Sequence, residues 1–494
     1  MRWHESAPSG ALVFHTTILK TSEEINVSKG IKTDKLNALK GGSVFMIGIG
    51  GCSMSGLAIL LKSRGFDVSG YTTRRNEYTE MLKKNKIRVF RQADPALLEG
   101  ADLVIYWQGT KMDHELLTAA KEKGIPARSR SWLLGQLTEG YDRSICVCGT
   151  HGKTTVTSML GQILIESGLD PAVHVGGFYP PMGGNIHIGN EELFITESCE
   201  FQKGFLNLRP TGIMLLNIDT DHLDCYRDID EIEETFGAFL NKLPEDGWAL
   251  GYGEDLRVLR QLRTLRCRTA TYGRSAGCEY RMEKPLEDPQ GLYEFDLYHD
   301  TENLGHVRMK VPGMVNALNA VAALSAAHIM GVDASYACKI IGDFTGVRRR
   351  FERTGSLNGA EIYHDYGHNP VEMRNVLSIA RKRCPNGRLW AVMQPHTYSR
   401  VKTLFEDYLT CTEEADITLV TDIYGAREEN PGGIDSGMLA EGMKKHGINA
   451  VWTPSFKAAA RTLRKGVQPG DLVITMGCGN INYLNDLLNL ISLV

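Results

Sequence analysis

Ser144-Ile145-Cys146-Val147-Cys148-Gly149-Thr150-His151-Gly152-Lys153-Thr154-Thr155 decides how this chain is read. An apolar, strand-like run from Ser144 to Val147 enters a glycine-containing loop and Gly-Lys-Thr, and a helix-like segment follows from Val156 to Glu166. That order builds a phosphate cradle, because backbone N–H groups and the helix N-terminus face the phosphates. Lys153 would reach the terminal phosphates and the Thr154 hydroxyl would hold Mg2+. The first glycine of the usual G-x-x-x-x-G-K-[ST] pattern is missing, since position 147 is Val. The loop is therefore a variant one, which narrows the field of nucleotide enzymes. A chance glycine turn is a poor account of Gly-Lys-Thr-Thr between a strand and a helix.

Around this loop, strand-like and helix-like segments alternate, which predicts α/β units with parallel sheets. A chain of 494 residues is too long for one ordinary core. We expect an N-terminal extension (1–40), a first domain (41–142), a central domain (143–345) and a last domain (346–494). The first and last read as Rossmann-like. The central one reads as P-loop-type, with a small antiparallel sheet in the turn-rich stretch 268–311. Thr138 to Arg143 looks like a linker. Hydrophobic residues make up 42% and charged residues 23%, as in a globular protein, and the net charge of -4 implies no nucleic-acid partner. The eleven cysteines include no C-x-x-C pair, which disfavours a zinc knuckle or a disulfide framework. No apolar run approaches the ~18 residues that span a bilayer. With no signal-peptide core near Met1, the cytoplasm is the expected compartment and no membrane partner is expected.

Four further stretches carry chemistry. Gly48-x-Gly50-Gly51-x-x-x-x-Gly56, between a strand and a helix, lets backbone approach a diphosphate. The next strand ends Val68-Ser69-Gly70-Tyr71-Thr72 without an acidic residue for a ribose, which disfavours NAD. The bland alternative is a tight packing turn. Glu197, Glu200 and the run Asn217 to Asp224 follow two strands, at the carboxyl ends where ligands of open α/β sheets gather. Glu200 and His222 could complete Mg2+ coordination begun by Thr154, although one histidine is an unusual Mg2+ ligand. Arg348-Arg349-Arg350 is either a solvated basic turn or, in an interdomain cleft, a phosphate clamp. His364-Asp365-Tyr366-Gly367-His368-Asn369-Pro370 and Gln394-Pro395-His396-Thr397-Tyr398-Ser399-Arg400 crowd ionisable groups into two loops at strand ends, which suggests a substrate site.

Together these motifs resemble the Mur ligases, the ATP-dependent ligases of peptidoglycan precursor synthesis. Gly149 to Thr154 matches the family's G-T-x-G-K-T loop, and the resemblance covers roughly residues 43 to 494. It implies that Gly149, Thr150, His151, Gly152, Lys153, Thr154 and Thr155 bind ATP, with Asn316 and Asn319 of Pro312-Gly313-x-x-Asn316-x-x-Asn319 against the adenine. Gly48, Gly50, Gly51, Ser53, Met54 and Ser55 would take the uridine diphosphate. Thr154, Glu200 and His222 would serve Mg2+. Arg350, Asp365, Tyr366, His368, His396 and Arg400 would line the substrate site, and Lys153, His222, His368 and Arg400 would be catalytic. Branches that add later peptide units carry a lysine, carbamylated when active, shortly after the His-Leu-Asp motif. Here the matching positions are Phe236 and Gly237, as in the alanine-adding branch. The implied small-molecule partners are thus UDP-N-acetylmuramate, L-alanine and ATP, acting on a monomer or weak homodimer.

The chain departs from the family pattern at several positions. Thr72 stands for a frequent Asp, Thr397 for an Arg, Val315 for a His, and Glu197-Ser198-Cys199-Glu200-Phe201-Gln202 keeps the glutamates of its motif but not the aspartates. The rival expectations are a tripeptide-recycling ligase of the same family, favoured by a larger last-domain pocket, and a non-catalytic relative, disfavoured by Lys153, Glu200 and His222. A plain P-loop ATPase would have no use for the Gly48 loop.

Overall fold

The computed structural model describes residues 36–39, 41–220, 225–426 and 428–489. Three sheets organise them. The first has five parallel strands in the spatial order Arg88–Phe90, Asp67–Tyr71, Ser43–Ile47, Leu103–Tyr106, Ala127–Ser129. The chain fills one side of Ser43–Ile47 and then the other. The crevice at that strand's carboxyl end, where order reverses, is the ligand position of such sheets. It opens onto Gly48–Gly51 and the helix Cys52–Ser63. Of the expected N-terminal extension, Leu36–Leu39 forms a short 3-10 turn, with Leu36 buried and its N–H donated to Gln136 Oε1 at 3.0 Å. Residues 1–35 lie outside the described residues.

The central sheet has ten strands. The phosphate-loop strand Arg143–Cys148 lies between Leu193–Glu197 and Gly212–Leu215, parallel to both. The loops after all three strands therefore open on the same edge. The expected antiparallel segment is present as Tyr280–Glu287, Leu292–His299 and Glu302–Pro312. It is not a separate sheet: Tyr272 and Gly273 pair with Tyr280 and Arg281, so the ladder runs on unbroken. The other edge is a hairpin, Ala172–Tyr179 with Gly184–His187. The last sheet runs Glu352–Leu357, Ala360–Asp365, Leu472–Met476, Leu389–Met393, Ile417–Thr421, Ala450–Thr453, parallel except for its first strand.

The cores are not distributed one per domain. A single apolar cluster runs from Met46, Leu57 and Leu133 of the first domain into Phe194, Phe205 and Phe236 of the central one. Gly56 shows how close the two come. A Cβ there would lie 3.1 Å from both His174 and Asn185 of the edge hairpin. The last domain keeps its own cores on the two faces of its sheet. The expected linker Thr138–Arg143 is mostly regular structure, because helix Arg130–Glu139 runs through Thr138 and a strand opens at Arg143. Tyr141 between them is buried, stacked on Phe194 at 5.0 Å and covered by Arg64. All eleven cysteines are free thiols. Among the described residues no helix is long and apolar enough to cross a membrane.

Candidate functional site: a cleft where three strand-end clusters meet

The phosphate loop begins as the sequence predicts. Gly152 caps helix Lys153–Glu166 in the left-handed region at φ 87°, where a side chain is strained. A Cβ there would also meet Asn319 Oδ1 at 2.8 Å. Asn319 and Asn316 stand one helical turn apart on Met314–Ile329, so the structure brings both expected adenine contacts beside the loop. Lys153 folds back over the loop. Its ammonium donates to the carbonyls of Gly149 (2.5 Å) and Thr150 (2.9 Å) and pairs with Glu200 at 3.0 Å. Burial works against the Lys153 charge, but Glu200, Cys199 and Glu197 outweigh it and hold the ammonium protonated.

Thr154 Oγ1 donates to Glu197 Oε2 at 3.1 Å, and the other oxygen of Glu197 accepts the Gly176 N–H. Burial pushes the Glu197 carboxyl up despite these donors. A threonine hydroxyl and two carboxylates, the half-buried Glu197 and the buried Glu200, form a hard oxygen donor set, which fits Mg2+. Glu197 is the member that the metal assignment from sequence left out, although it ends its strand beside Glu200. His222 lies outside the described residues.

His151 joins the phosphate loop to the last domain. Its Nδ1 meets Glu372 Oε1 at 3.0 Å and its Nε2 lies 3.5 Å from Asp219 Oδ2. Burial disfavours the imidazolium, but hydrogen bonds to Asp219 and Glu372 prevail and lift His151 to about 9. Glu372 sits in the first turn of helix Pro370–Arg383. Its second oxygen accepts the His368 N–H at 3.0 Å and closes the capping box with Asn369. Burial opposes its charge, yet His368 and His151 hold the carboxyl well below the ordinary carboxylate range. One carboxylate thus grips the nucleotide loop with one oxygen and the Tyr366–Asn369 loop with the other. No motif marked Glu372 in the sequence.

In the last domain, His368 and His396 face each other with ring centroids 5.4 Å apart, and Arg400 Nη1 donates to His396 Nδ1 at 2.9 Å. Tyr366 carries the guanidinium groups of Arg349 and Arg350 over its ring, each at 4.9 Å. Asp365 does a job beyond the one expected of a substrate residue. Its carboxylate is buried and accepts the Phe351 N–H (2.8 Å) and the Gly367 N–H (2.6 Å), so in this structure it holds two loops together. Arg349 is likewise a brace, donating to His364 Nε2 and to the carbonyls of Gly477 and Gly479, all at 3.0 Å. A cleft of about 370 Å³ at the central–last domain junction is lined by Thr155, Asn316, Arg350, Phe351, Tyr363 and Arg383. Its size suits a nucleoside.

At the Gly48 loop the turn is as expected, with Gly48 N–H donated to Tyr71 O at 2.8 Å. Met54 and Ser55 are buried, and the Ser55 N–H is donated to Gly51 O at 3.0 Å, so in this structure both brace the turn. Ser53 Oγ is shared by His174 Nε2 (3.2 Å) and Arg130 Nη1 (3.1 Å). Arg130 was not legible as a site residue. Among the described residues its hydrogen-bond partners are the neutral Ser53 and Gln108; burial works against its charge, and Cys199 and Glu197 nearby support it.

A variant phosphate loop, a second glycine turn after a strand and a third loop cluster at strand ends are the features of a multidomain nucleotide-dependent enzyme. Comparison with known proteins narrows this class. Residues 43–142 match the model of the Mur ligase family catalytic domain, 147–327 the Mur ligase middle domain, and 349–479 the glutamate ligase domain of Mur ligases. The chain is 38% identical to the UDP-N-acetylmuramate–L-alanine ligase of Acetivibrio thermocellus, over 90% of this chain and 95% of that one. It is 37% identical to the ligase of the same name from Clostridium beijerinckii, over 89% and 95%. Among solved structures it is similar in fold to a UDP-N-acetylmuramate–alanine ligase from Thermotoga maritima (TM-score 0.78, 22% identity, 91% of this chain and 99% of that one). A murein peptide ligase from Psychrobacter arcticus also matches (TM-score 0.71, 22% identity, 91% and 98%). The chain belongs to the Mur ligase family.

Proposed function

We propose that this chain joins L-alanine to the carboxylate of UDP-N-acetylmuramate, with ATP converted to ADP and phosphate, in peptidoglycan precursor synthesis. The observation that carries this reading is the meeting of three strand-end clusters through single contacts, Lys153 with Glu200 and His151 with Glu372. The first domain takes the uridine diphosphate on the Gly48–Gly51 turn, aided by Arg130. The central domain takes ATP, with adenosine in the cleft beside Asn316 and the phosphates on Gly149–Thr155. The last domain brings the amino acid.

Lys153 is held charged and needs only to leave two carbonyls and Glu200 to reach the transferring phosphoryl group. Thr154, Glu197 and Glu200 would hold Mg2+, which would supply charge neutralisation at the phosphates. The γ-phosphoryl passes to the muramyl carboxylate and gives an acyl phosphate. The amine of L-alanine then attacks the acyl carbon, and phosphate leaves. His368, His396 and Arg400 orient that amine and the anionic leaving group. Water must be kept out, because an acyl phosphate hydrolyses, and the Glu372 grip closes the last domain over the nucleotide loop.

Phosphate release with UDP-N-acetylmuramate, ATP and a panel of amino acids and the L-alanyl tripeptide tests the reading. Release with L-alanine above all others is expected. Release with the tripeptide alone would reassign the chain to peptide recycling.

A further inference from the structure

Three soft or borderline donors stand together in the last domain. The sheet explains why. Asp365, Met476 and Met393 are in register on three neighbouring strands. The chain leaves all three at the same level, and each exit loop delivers one donor within three residues: His368, Cys478 and His396. One ring nitrogen of each histidine and the Cys478 Sγ lie within 4.8 Å of one another. Tetrahedral zinc, with bonds of about 2.0–2.3 Å, places such donors about 3.3–3.6 Å apart. A closing movement of about an ångström, within the reach of side-chain torsions, completes the set.

The surroundings fit a metal ligand set. His368 Nδ1 lies 3.4 Å from Glu372 Oε2 and 3.3 Å from Tyr366 O, the carboxylate and carbonyl neighbours that orient metal-bound imidazoles. Two imidazoles and a thiolate with an open fourth position select Zn2+-class ions over Mg2+, which takes oxygen. The site is invisible to sequence spacing because its ligands come from three distant loops.

We propose that His368, His396 and Cys478 form a transition-metal site, distinct from the oxygen site at Thr154, and that Zn2+ bound there blocks ligation. As the Zn–S bond forms, the Cys478 thiol gives its proton to solvent. The Arg400 guanidinium can only donate. A metal on His396 Nδ1 takes the lone pair Arg400 now uses, and a metal on Nε2 forces the ring proton onto Nδ1. Either way the Arg400–His396 contact ends. The inhibitory role rests on the reading of this face as the amino-acid side; the metal site itself does not.

The test is a Co2+ titration of the full chain in the absence of nucleotide, followed by Zn2+ displacement, with Cys478→Ala beside it. One equivalent of Co2+ should give sulfur-to-metal charge-transfer absorption and intense tetrahedral d–d bands, both bleached by Zn2+. In Cys478→Ala the charge transfer should vanish and Zn2+ affinity fall by at least about 1,000-fold, beyond the roughly 10–100-fold that loss of an outer partner costs. Its uninhibited turnover should match wild type, with sensitivity to Zn2+ at least about tenfold lower. No charge transfer in the wild type, or bands that persist in Cys478→Ala, would overturn the site. Tight Zn2+ binding with turnover undiminished would overturn the inhibitory role. Because the spectra need no substrate, a chain inactive on UDP-N-acetylmuramate and L-alanine would sink the functional reading and leave the metal result standing.

Discussion

Glu372 concentrates the account at the scale of one residue. Its two oxygens hold His151 of the nucleotide loop and the backbone of His368 in the substrate loop. Glu372→Gln should leave the capping box able to form but weaken the grip on His151. We expect kcat to fall about tenfold, with a smaller change in the KM for ATP. Unchanged kcat in a folded variant would make the contact incidental. The pair also predicts a pH window. His151 rises from 6.5 to about 9 in the fold, so its contribution is complete below pH 6.5 and is lost as pH rises through about 9. Glu372 is lowered from 4.5, so its contribution is present above pH 4.5 and is lost on further acidification. Protease resistance of the interdomain cleft should therefore fall above pH 9 in the wild type, and much less so in His151→Ala. Lys153→Ala should cut ligation by at least about 100-fold, the scale of removing a positioned charge from a transition state, with far-UV circular dichroism unchanged. Near-normal turnover in that variant would withdraw Lys153 from the reaction.

At the scale of elements, the strand–loop–helix units were legible where the chain itself supplies punctuation. The apolar run before the phosphate loop, Ser144 to Val147, lies in the strand Arg143–Cys148 as predicted. Gly152 at the start of its helix and Pro370 at the first turn of another mark starts that local chemistry dictates. Glu372 and Arg130 escaped for the opposite reason. Their roles exist only once distant strands share an edge. The edge hairpin Ala172–Tyr179 escaped because Gly176-Gly177 interrupts its pattern. Asp365 shows what sequence alone could not add, that the acid of this polar loop also serves two backbone N–H groups. Gly152→Ala tests the loop as an element. Strain at φ 87° and the clash with Asn319 should reduce ATP affinity at least about tenfold, as the lost loop geometry would require. Calorimetric binding equal to wild type would mean that the loop tolerates another backbone path.

At the scale of the whole molecule, motion is assigned by where the apolar cores lie. Hinges near both Thr138–Arg143 and Thr345–Arg350 are natural expectations from the polar runs there. The first is pinned, since Tyr141 is buried and one core spans the first two domains. The last domain has separate cores and meets the nucleotide loop through polar contacts, so it is the body that should swing about Thr345–Arg350. Nucleotide plus UDP-N-acetylmuramate should reduce the radius of gyration and protect that junction, but not Thr138–Arg143, from protease. The central claim is that the three domains assemble one ligase site, and its most direct test is a stoichiometric one. Purified chain is given UDP-N-acetylmuramate, ATP and L-alanine, and phosphate release is followed alongside the mass of the nucleotide-sugar product. The account predicts one phosphate for each alanine gained by the sugar nucleotide, with neither formed when any of the three substrates is omitted. Phosphate release that needs neither the sugar nucleotide nor the amino acid, or that yields no heavier product, would contradict it.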